Sequence, residues 1–175
     1  ALDLGTRQAT LLFAPGTTAT MTLPGGGTQA LTAVSVRATE YTVGGTGPRA
    51  MPAELPQTTN YTYAVEYSVD EAVAAGATQV SFTPPVLSYV ENFLGFPVGT
   101  VVPAGYYDRV QGRWVAAPSG KVIKVLSVTG GLADVDSNGD GVADNTLSLT
   151  VEERQQLASL YQPGATLWRV PVDHF

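Results

Sequence analysis

Val122-Ile-Lys-Val-Leu-Ser-Val128 is a near-continuous apolar run in a chain of 175 residues. Such a run is typical of a strand buried on both faces, because a strand with one face in water alternates apolar and polar residues. An acidic, glycine-containing loop at residues 134–144 follows it. We therefore predict a buried strand over 122–128, followed by this loop.

Alternating strands are predicted in the first part of the chain. Apolar residues alternate with threonines over residues 18–23, and a second alternating segment covers 34–39. Pro-Gly-Gly-Gly at 24–27 separates the two, so we predict an antiparallel hairpin with a loose turn. The clearest alternation covers 61–69, and a long surface loop is expected over 44–59.

The middle of the chain contains shorter strand signals. Val80 and Phe82 indicate a short strand, which the prolines at 84–85 are expected to end. Residues 89–96 are aromatic and apolar and are interpreted as a crossover that fills the core. A hairpin is predicted over 107–115, with a glycine in its turn.

The last part of the chain predicts a helix and then a strand. Thr150-Val-Glu-Glu153 has the pattern of a capping box and predicts a helix over 150–161. The apolar stripe of this helix would be Val151, Leu157, Leu160 and Tyr161. A tail strand is expected over 166–173. Many short strands and one short C-terminal helix indicate a mainly β fold, an antiparallel β-sandwich forming a single domain over 1–175.

Composition excludes several kinds of function. Fifteen acidic residues against nine basic ones give a net charge of −6, and no basic cluster is present, so nucleic acid is not an expected partner. No apolar run is long enough to predict a membrane span. The absence of cysteine excludes disulfides, thiolate metal sites and a cysteine nucleophile.

The loop 134–144, Asp-Val-Asp-Ser-Asn-Gly-Asp-Gly-Val-Ala-Asp, has the DxNxDGxxD spacing of an EF-hand-like or dockerin-like calcium loop. A hard cation needs about six to eight oxygen ligands, and a glycine allows the turn that brings later ligands around it. The predicted Ca²⁺ ligands are Asp134, Asp136, Asn138, Asp140, Val142 through its carbonyl, and Asp144.

Two features qualify the calcium interpretation. An EF-hand would have a bidentate glutamate at its twelfth position, which is occupied here by Leu147, so we expect modest affinity and a structural site. The alternative is a solvated turn, because Asp, Asn and Gly also favour turns.

The second half of the chain resembles a known family in its running sequence. Residues 89–108, Gly112-Arg-Trp114, the loop 131–144, the helix at 152–156 and the tail 167–175 are similar to the non-repeat region of large bacterial YD-repeat (Rhs-type) proteins. The chain lacks the YD repeats themselves. The resemblance implies a secreted or cell-surface bacterial protein, of which this chain, beginning without methionine, would be one part.

The terminal pair His174-Phe175 resembles the cleavage motif of self-cleaving β-domains of the nuclear-pore and death-domain adaptor kind. In those domains a following hydroxyl residue attacks the carbonyl of the phenylalanine, and a histidine acts as general base. The resemblance implies an N-to-O acyl shift after Phe175, with this chain as the N-terminal product. The alternatives are an ordinary surface histidine and an arbitrary chain end.

A further alternative is a binding module without self-cleavage. Tyr61, Tyr63 and Tyr67 share one strand face and could stack on a glycan, and residues 89–96 could bind a protein. A core role is the simpler interpretation of both. The function expected from the sequence is therefore a calcium-stabilised structural β-module, with glycan or protein binding as the alternative.

Overall fold

The computed structural model describes residues 8–42, 46–53 and 63–175. Within these ranges the protein is mainly β, and its strands pair in antiparallel fashion, as predicted. Part of the predicted 44–59 loop and the start of the predicted 61–69 strand, including Tyr61, lie outside the described residues.

The described residues form strands, two α-helices and a 3₁₀ turn at Gly47–Arg49. The strands are β1 (Ala9–Leu12), β2 (Thr18–Thr22), β3 (Thr28–Leu31), β4 (Val36–Glu40), β5 (Val65–Val69), β6 (Gln79–Glu91), β7 (Val101–Asp108), β8 (Arg113–Thr129), β9 (Leu132–Asp136) and β10 (Thr166–His174). The helices are α1 (Asp70–Ala74) and α2 (Val151–Leu160).

Eight strands form one sheet in the order β3-β2-β6-β10-β8-β7, with β1 also paired to β6 and β9 also paired to β8. The two long strands, β6 and β8, each pair with several partners along their length. The last strand of the chain, β10, lies between them. The tail segment is therefore a central strand of the sheet.

The predicted strand at 122–128 is confirmed as the inner part of β8. Val122, Ile123 and Val125 are completely buried. Ile123 packs in a cluster with Leu157 of α2, whereas Val122 packs with Trp168 on the other face. Both faces of this strand are covered over Val122 to Val125, which explains why its sequence is nearly continuously apolar there. Ser127 and Val128 at its end are exposed.

A smaller sheet of β4 and β5 packs on the large one. Val69 at the end of β5 and Ala72 in α1 are buried in a cluster with Phe82 and Val86 of β6. Helix α1 follows β5 directly and ends shortly before Gly76, which has a positive φ. The small sheet covers the part of β6 that pairs with β2.

The predicted pairing of 18–23 with 34–39 is wrong. β2 pairs instead with β3, and the 34–39 segment contributes β4, which pairs with β5. Two backbone hydrogen bonds between Leu23 and the glycines at 26–27 close the turn early, so the residues right after it return along β2. Three of the four residues of β3 are exposed, which explains why its sequence lacks a strand-like alternation.

The predicted end of the strand at Pro84-Pro85 is also wrong, because β6 continues from Gln79 to Glu91. The pairing of β6 with β2 ends at Thr83, and its pairing with β10 is regular from Val86 onward. Neither proline belongs to a paired position, so the missing N–H groups cost no ladder hydrogen bonds.

Helix α2 is confirmed, but its predicted apolar stripe is only half right. The Thr150 hydroxyl caps the helix by accepting the Glu153 N–H, as predicted. Leu157 is fully buried, whereas Val151 and Leu160 are exposed. The Glu153 side chain is buried and does not complete a capping box, because it binds an arginine of the sheet.

Candidate functional site: the loop 134–144 and the tail strand

The loop 134–144 is built into the edge of the core. It leaves β9 at Asp136, where Asp136 and Ser137 are almost completely buried, and it leads to α2. The Asp144 N–H donates to the Val135 carbonyl at 2.8 Å, so the loop closes back on the strand from which it starts. Its two ends are therefore fixed by the fold, while Asn138 to Ala143 are mostly exposed.

Alternate residues of the loop form a series of Asx turns, in which a side-chain oxygen accepts the N–H two residues ahead. The donor–acceptor distances are 3.0 Å from Asn138 to Asp136, 2.9 Å from Asp140 to Asn138 and 2.8 Å from Val142 to Asp140. Asp136 also accepts from Gly139 at 2.6 Å and from Gly141 at 2.9 Å. The loop is thus wrapped around the Asp136 carboxylate.

Asp144 has a different task at the other end of the loop. Its carboxylate accepts the Ser137 N–H at 2.8 Å, the Ser137 hydroxyl at 2.6 Å and the Thr146 N–H at 2.9 Å. Burial disfavours the charged form, but the hydrogen bonds from Ser137 and Thr146 outweigh it and hold the pKa of Asp144 well below its ordinary value. Asp144 therefore ties the two ends of the loop together as an anion.

Asp134 faces away from the loop interior. It accepts hydrogen bonds from Ser127 at 2.8 Å and Thr129 at 2.6 Å on β8, and from Arg154 of α2 at 2.9 Å. The hydroxyls of Thr129 and Ser127, followed by Arg154, lower the pKa of Asp134. Arg154 also donates to the Ala133 carbonyl at 2.7 Å, so this group joins β8, β9 and α2.

The donor chemistry of the loop fits Ca²⁺ only in part. Carboxylate and amide oxygens on alternate residues are suitable ligands, and a carboxylate that accepts backbone N–H groups keeps further lone pairs. Asn138 Nδ2 lies 3.1 Å from Asp140 Oδ2, so these two side chains are adjacent. Among the described residues, however, no three His, Asp or Glu side chains are grouped closely enough to hold a metal. Asp144 would have to leave Ser137 to join a ligand shell.

A buried polar cluster that sequence reasoning missed lies beside this loop. Arg169 of β10 donates from Nε to Glu153 Oε1 at 2.7 Å and from Nη2 to Oε2 at 3.1 Å. The Tyr89 hydroxyl donates to the same carboxylate and accepts from Arg169. Burial, and then the charge of Glu153, raises the pKa of Tyr89 far above its ordinary value. The cluster fastens α2 to β6 and β10.

The predicted catalytic pair lies at the end of β10. The Phe175 ring packs on Phe82 and Tyr67, with ring centroids 4.6 and 5.1 Å away. The Phe175 N–H donates to the Val80 carbonyl at 2.8 Å, and the Val80 N–H donates to the Phe175 carbonyl oxygen at 2.9 Å. His174 Nδ1 lies 2.5 Å from Asp173 Oδ1. Both residues of the pair therefore contact neighbouring side chains or strands of the fold.

The two candidate binding surfaces are largely packed against other parts of the protein. Tyr67 is hydrogen-bonded to Ser88 at 2.8 Å and contacts Phe175, and Tyr63 packs on Phe93. Within residues 89–96, Tyr89 and Val90 are buried strand residues. Phe96 remains partly exposed. Most of these rings pack against other side chains of the protein and do not form an open binding surface.

No protein-family model, no curated protein and no solved structure matches this chain. The resemblances to YD-repeat proteins and to self-cleaving domains therefore stay predictions from the residues themselves. In the part of the chain that the structure describes, none of the helices is long and apolar enough to cross a membrane.

Proposed function

We propose that this chain is a calcium-stabilised structural β-module of a larger secreted or cell-surface bacterial protein. The large sheet and the β4–β5 sheet form the two layers of its β-sandwich. The loop 134–144 binds one Ca²⁺ with modest affinity, through Asp136, Asn138, Asp140 and the Val142 carbonyl, with Asp144 joining on rearrangement. The ion acts as a structural ligand that favours the folded loop.

The observation that carries this proposal is the succession of Asx turns around the nearly buried Asp136. Each turn uses one side-chain oxygen of an alternate residue. Backbone N–H donors thereby fix the rotamers of the side chains that would bind the ion. A site with oriented ligands loses less conformational entropy on binding. The exposed position of Asp140 leaves a path from solvent.

Thermal unfolding in excess Ca²⁺ and in excess chelator tests this proposal. Ligand at about 100 times its dissociation constant stabilises by about 2.7 kcal/mol. For a chain of this size the melting temperature would rise by roughly 5–10 °C. Asp140→Asn should reduce the shift, whereas Glu152→Gln, an exposed carboxylate on α2, should keep it. An identical melting temperature in Ca²⁺ and in chelator would refute calcium binding.

Self-cleavage after Phe175 is a second candidate function, favoured by the hydrogen bond from the Val80 N–H to the Phe175 carbonyl oxygen. A donor there would stabilise the negative charge that develops when a nucleophile attacks this carbonyl. Asp173 beside Nδ1 would orient His174 and leave Nε2 to accept a proton. The required nucleophile is the hydroxyl of a Ser or Thr residue after Phe175.

The reaction is an N-to-O acyl shift followed by hydrolysis of the ester. The hydroxyl oxygen attacks the Phe175 carbonyl carbon and gives its proton to His174. The peptide C–N bond then breaks, and the released amine takes that proton. Water hydrolyses the resulting ester, which leaves a carboxylate on Phe175.

Mass spectrometry of the chain extended after Phe175 by a serine-initiated segment tests this second candidate. Cleavage should leave a fragment ending at Phe175, and His174→Ala should slow its appearance by about 100-fold or more, as expected for loss of a general base. Asp108→Asn, a substitution in the β7–β8 turn, is the control and should cleave normally. An extended wild-type chain that stays intact would exclude self-cleavage.

A further inference from the structure

Two glycines bring the 134–144 loop into backbone contact with another loop, residues 92–100. Gly99 has φ +85° and Gly139 has φ +90°. A Cβ on Gly99 would lie 2.5 Å from the Asn138 carbonyl oxygen, and a Cβ on Gly139 would lie 2.6 Å from the Val98 carbonyl oxygen. Each glycine therefore faces the backbone of the other loop, and neither position has room for a side chain.

The 92–100 loop covers Trp168 of β10, the strand that lies between β6 and β8. Phe96 stacks on the Trp168 ring at 5.7 Å and Phe93 packs on it at 4.9 Å. Asn92 Oδ1 accepts the Trp168 indole N–H at 2.8 Å. Trp168 is only 3% exposed, whereas Phe96 is 39% exposed. The loop is thus a lid over the tryptophan, held at one end by Asn92.

The other end of the lid is held by the 134–144 loop and by β8. The Gly99 N–H donates to the Val122 carbonyl at 2.8 Å, and the Val122 N–H donates to the Thr100 carbonyl at 2.9 Å. The Gly139 N–H donates to the Asp136 carboxylate. The position of the Asn138–Gly139 backbone, on which the lid rests, is therefore set by the carboxylate at the centre of the acidic loop.

We propose that residues 92–100 and 136–141 open and close as one unit, so that order in the acidic loop keeps the aromatic lid closed over Trp168. Opening would expose an aromatic patch of Phe93, Phe96 and Trp168. Only the identity of the ligand that sets this equilibrium, Ca²⁺, rests on the proposed function. The mechanical link between the loops rests on the two glycine contacts.

Amide hydrogen exchange in the full chain tests the link. Gly139→Ala should speed exchange across residues 93–100 by about tenfold or more, because its new methyl group would push on Val98. Gly130→Ala is the matched control, since it has φ +58° in the β8–β9 turn, outside both loops, and no atom within 4 Å of its Cβ. It should leave exchange across 93–100 and 136–141 unchanged. Equal acceleration of 93–100 by both variants would overturn the proposal.

The reciprocal substitution gives an independent test. Gly99→Ala should speed exchange across 136–141, whereas Gly16→Ala, with φ +81° and open space around its Cβ in the turn between β1 and β2, should not. Combining Gly99→Ala with Gly139→Ala should accelerate exchange by less than the product of the single effects, because both methyl groups break one contact. Fully multiplicative effects would show two independent loops and refute the link.

A substitute variant and a fluorescence measurement complete the test. If Gly139→Ala fails to fold, Asp136→Asn is the substitute variant. It replaces one carboxylate oxygen of Asp136 with an amide nitrogen, which cannot accept the Gly141 N–H. Trp168 emission, recorded in a Trp114→Phe background, should shift to longer wavelength when the lid opens. An unshifted emission spectrum in a variant with accelerated exchange at 136–144 would contradict the lid.

Added Ca²⁺ separates the two proposals. Slower exchange at 136–144 and 93–100 together supports both, and slower exchange at 136–144 alone refutes the link. No change in either loop refutes calcium binding, and the glycine variants then decide the link.

Discussion

Replacing Arg169 with methionine should be among the most destabilising single substitutions in this protein. The Arg169 side chain is 13% exposed and that of Glu153 is 5% exposed. Their two hydrogen bonds hold α2 against β10, and the Tyr89 hydroxyl is the remaining donor to the Glu153 carboxylate. Methionine would keep much of the side-chain volume but remove the charge, so the carboxylate would stay buried without a counterion.

The expected cost follows from that uncompensated charge. Removing one partner of a buried ion pair costs about 3–5 kcal/mol. For a chain of this size the melting temperature would fall by roughly 6–20 °C. Replacing the whole cluster should cost far less, because no buried charge is then left. The triple variant Tyr89→Phe, Glu153→Leu and Arg169→Met should lie within about 2 kcal/mol of the original protein.

Urea unfolding followed by circular dichroism measures both free energies. A matched control is Arg37→Met, which removes an arginine whose ion pair with Asp70 is largely exposed, and which should cost far less than Arg169→Met. The reasoning would be refuted if Arg169→Met cost as little as Arg37→Met, or if the triple variant were as unstable as Arg169→Met.

Three other predictions concern packing and pH. Gly120→Ala should destabilise by about 1–3 kcal/mol or more in urea unfolding, because its Cβ would lie 2.3 Å from the Arg169 carbonyl oxygen in the sheet. Leu157→Ala should cost about 2–5 kcal/mol, whereas Val151→Ala on the exposed side of α2 should cost under about 1 kcal/mol. The lowered pKa of Asp144 means that its contribution to stability is present above its unfolded pKa of about 4 and is lost as pH falls through the folded value. Asp144→Asn should therefore flatten the acid limb of a stability–pH curve, and an unchanged acid limb would contradict this assignment.

Sequence patterns predicted the elements with a clear local signal. The run at 122–128 is mostly apolar because α2 covers one face of β8 and the residues around Trp168 cover the other at Val122, Ile123 and Val125. The β7–β8 hairpin and β10 were also predicted, since a turn glycine and regular alternation mark them. These signals are local, so no knowledge of the rest of the fold is needed to interpret them.

Pairing partners and the roles of single charges were not predictable in this way. β3 is an exposed edge strand with little alternation, and its pairing depends on a turn that closes sooner than the glycine run suggests. Glu153 looks like a capping residue because its partner, Arg169, is sixteen residues away on another element. The contact between Gly99 and Gly139 joins two loops forty residues apart, and single glycines carry no signal of what they face.

The acidic loop shows that spacing alone does not assign a role to each carboxylate. Asp134 binds Arg154 and anchors α2, and Asp144 binds Ser137 and closes the loop. Asp136 alone organises the backbone on which the lid rests. The carboxylates at the two ends therefore have structural partners already, whereas Asp140 is exposed and accepts only local hydrogen bonds. A cation that binds around Asp136 and Asp140 would act where the loop meets the lid, and would leave the anchor to α2 undisturbed.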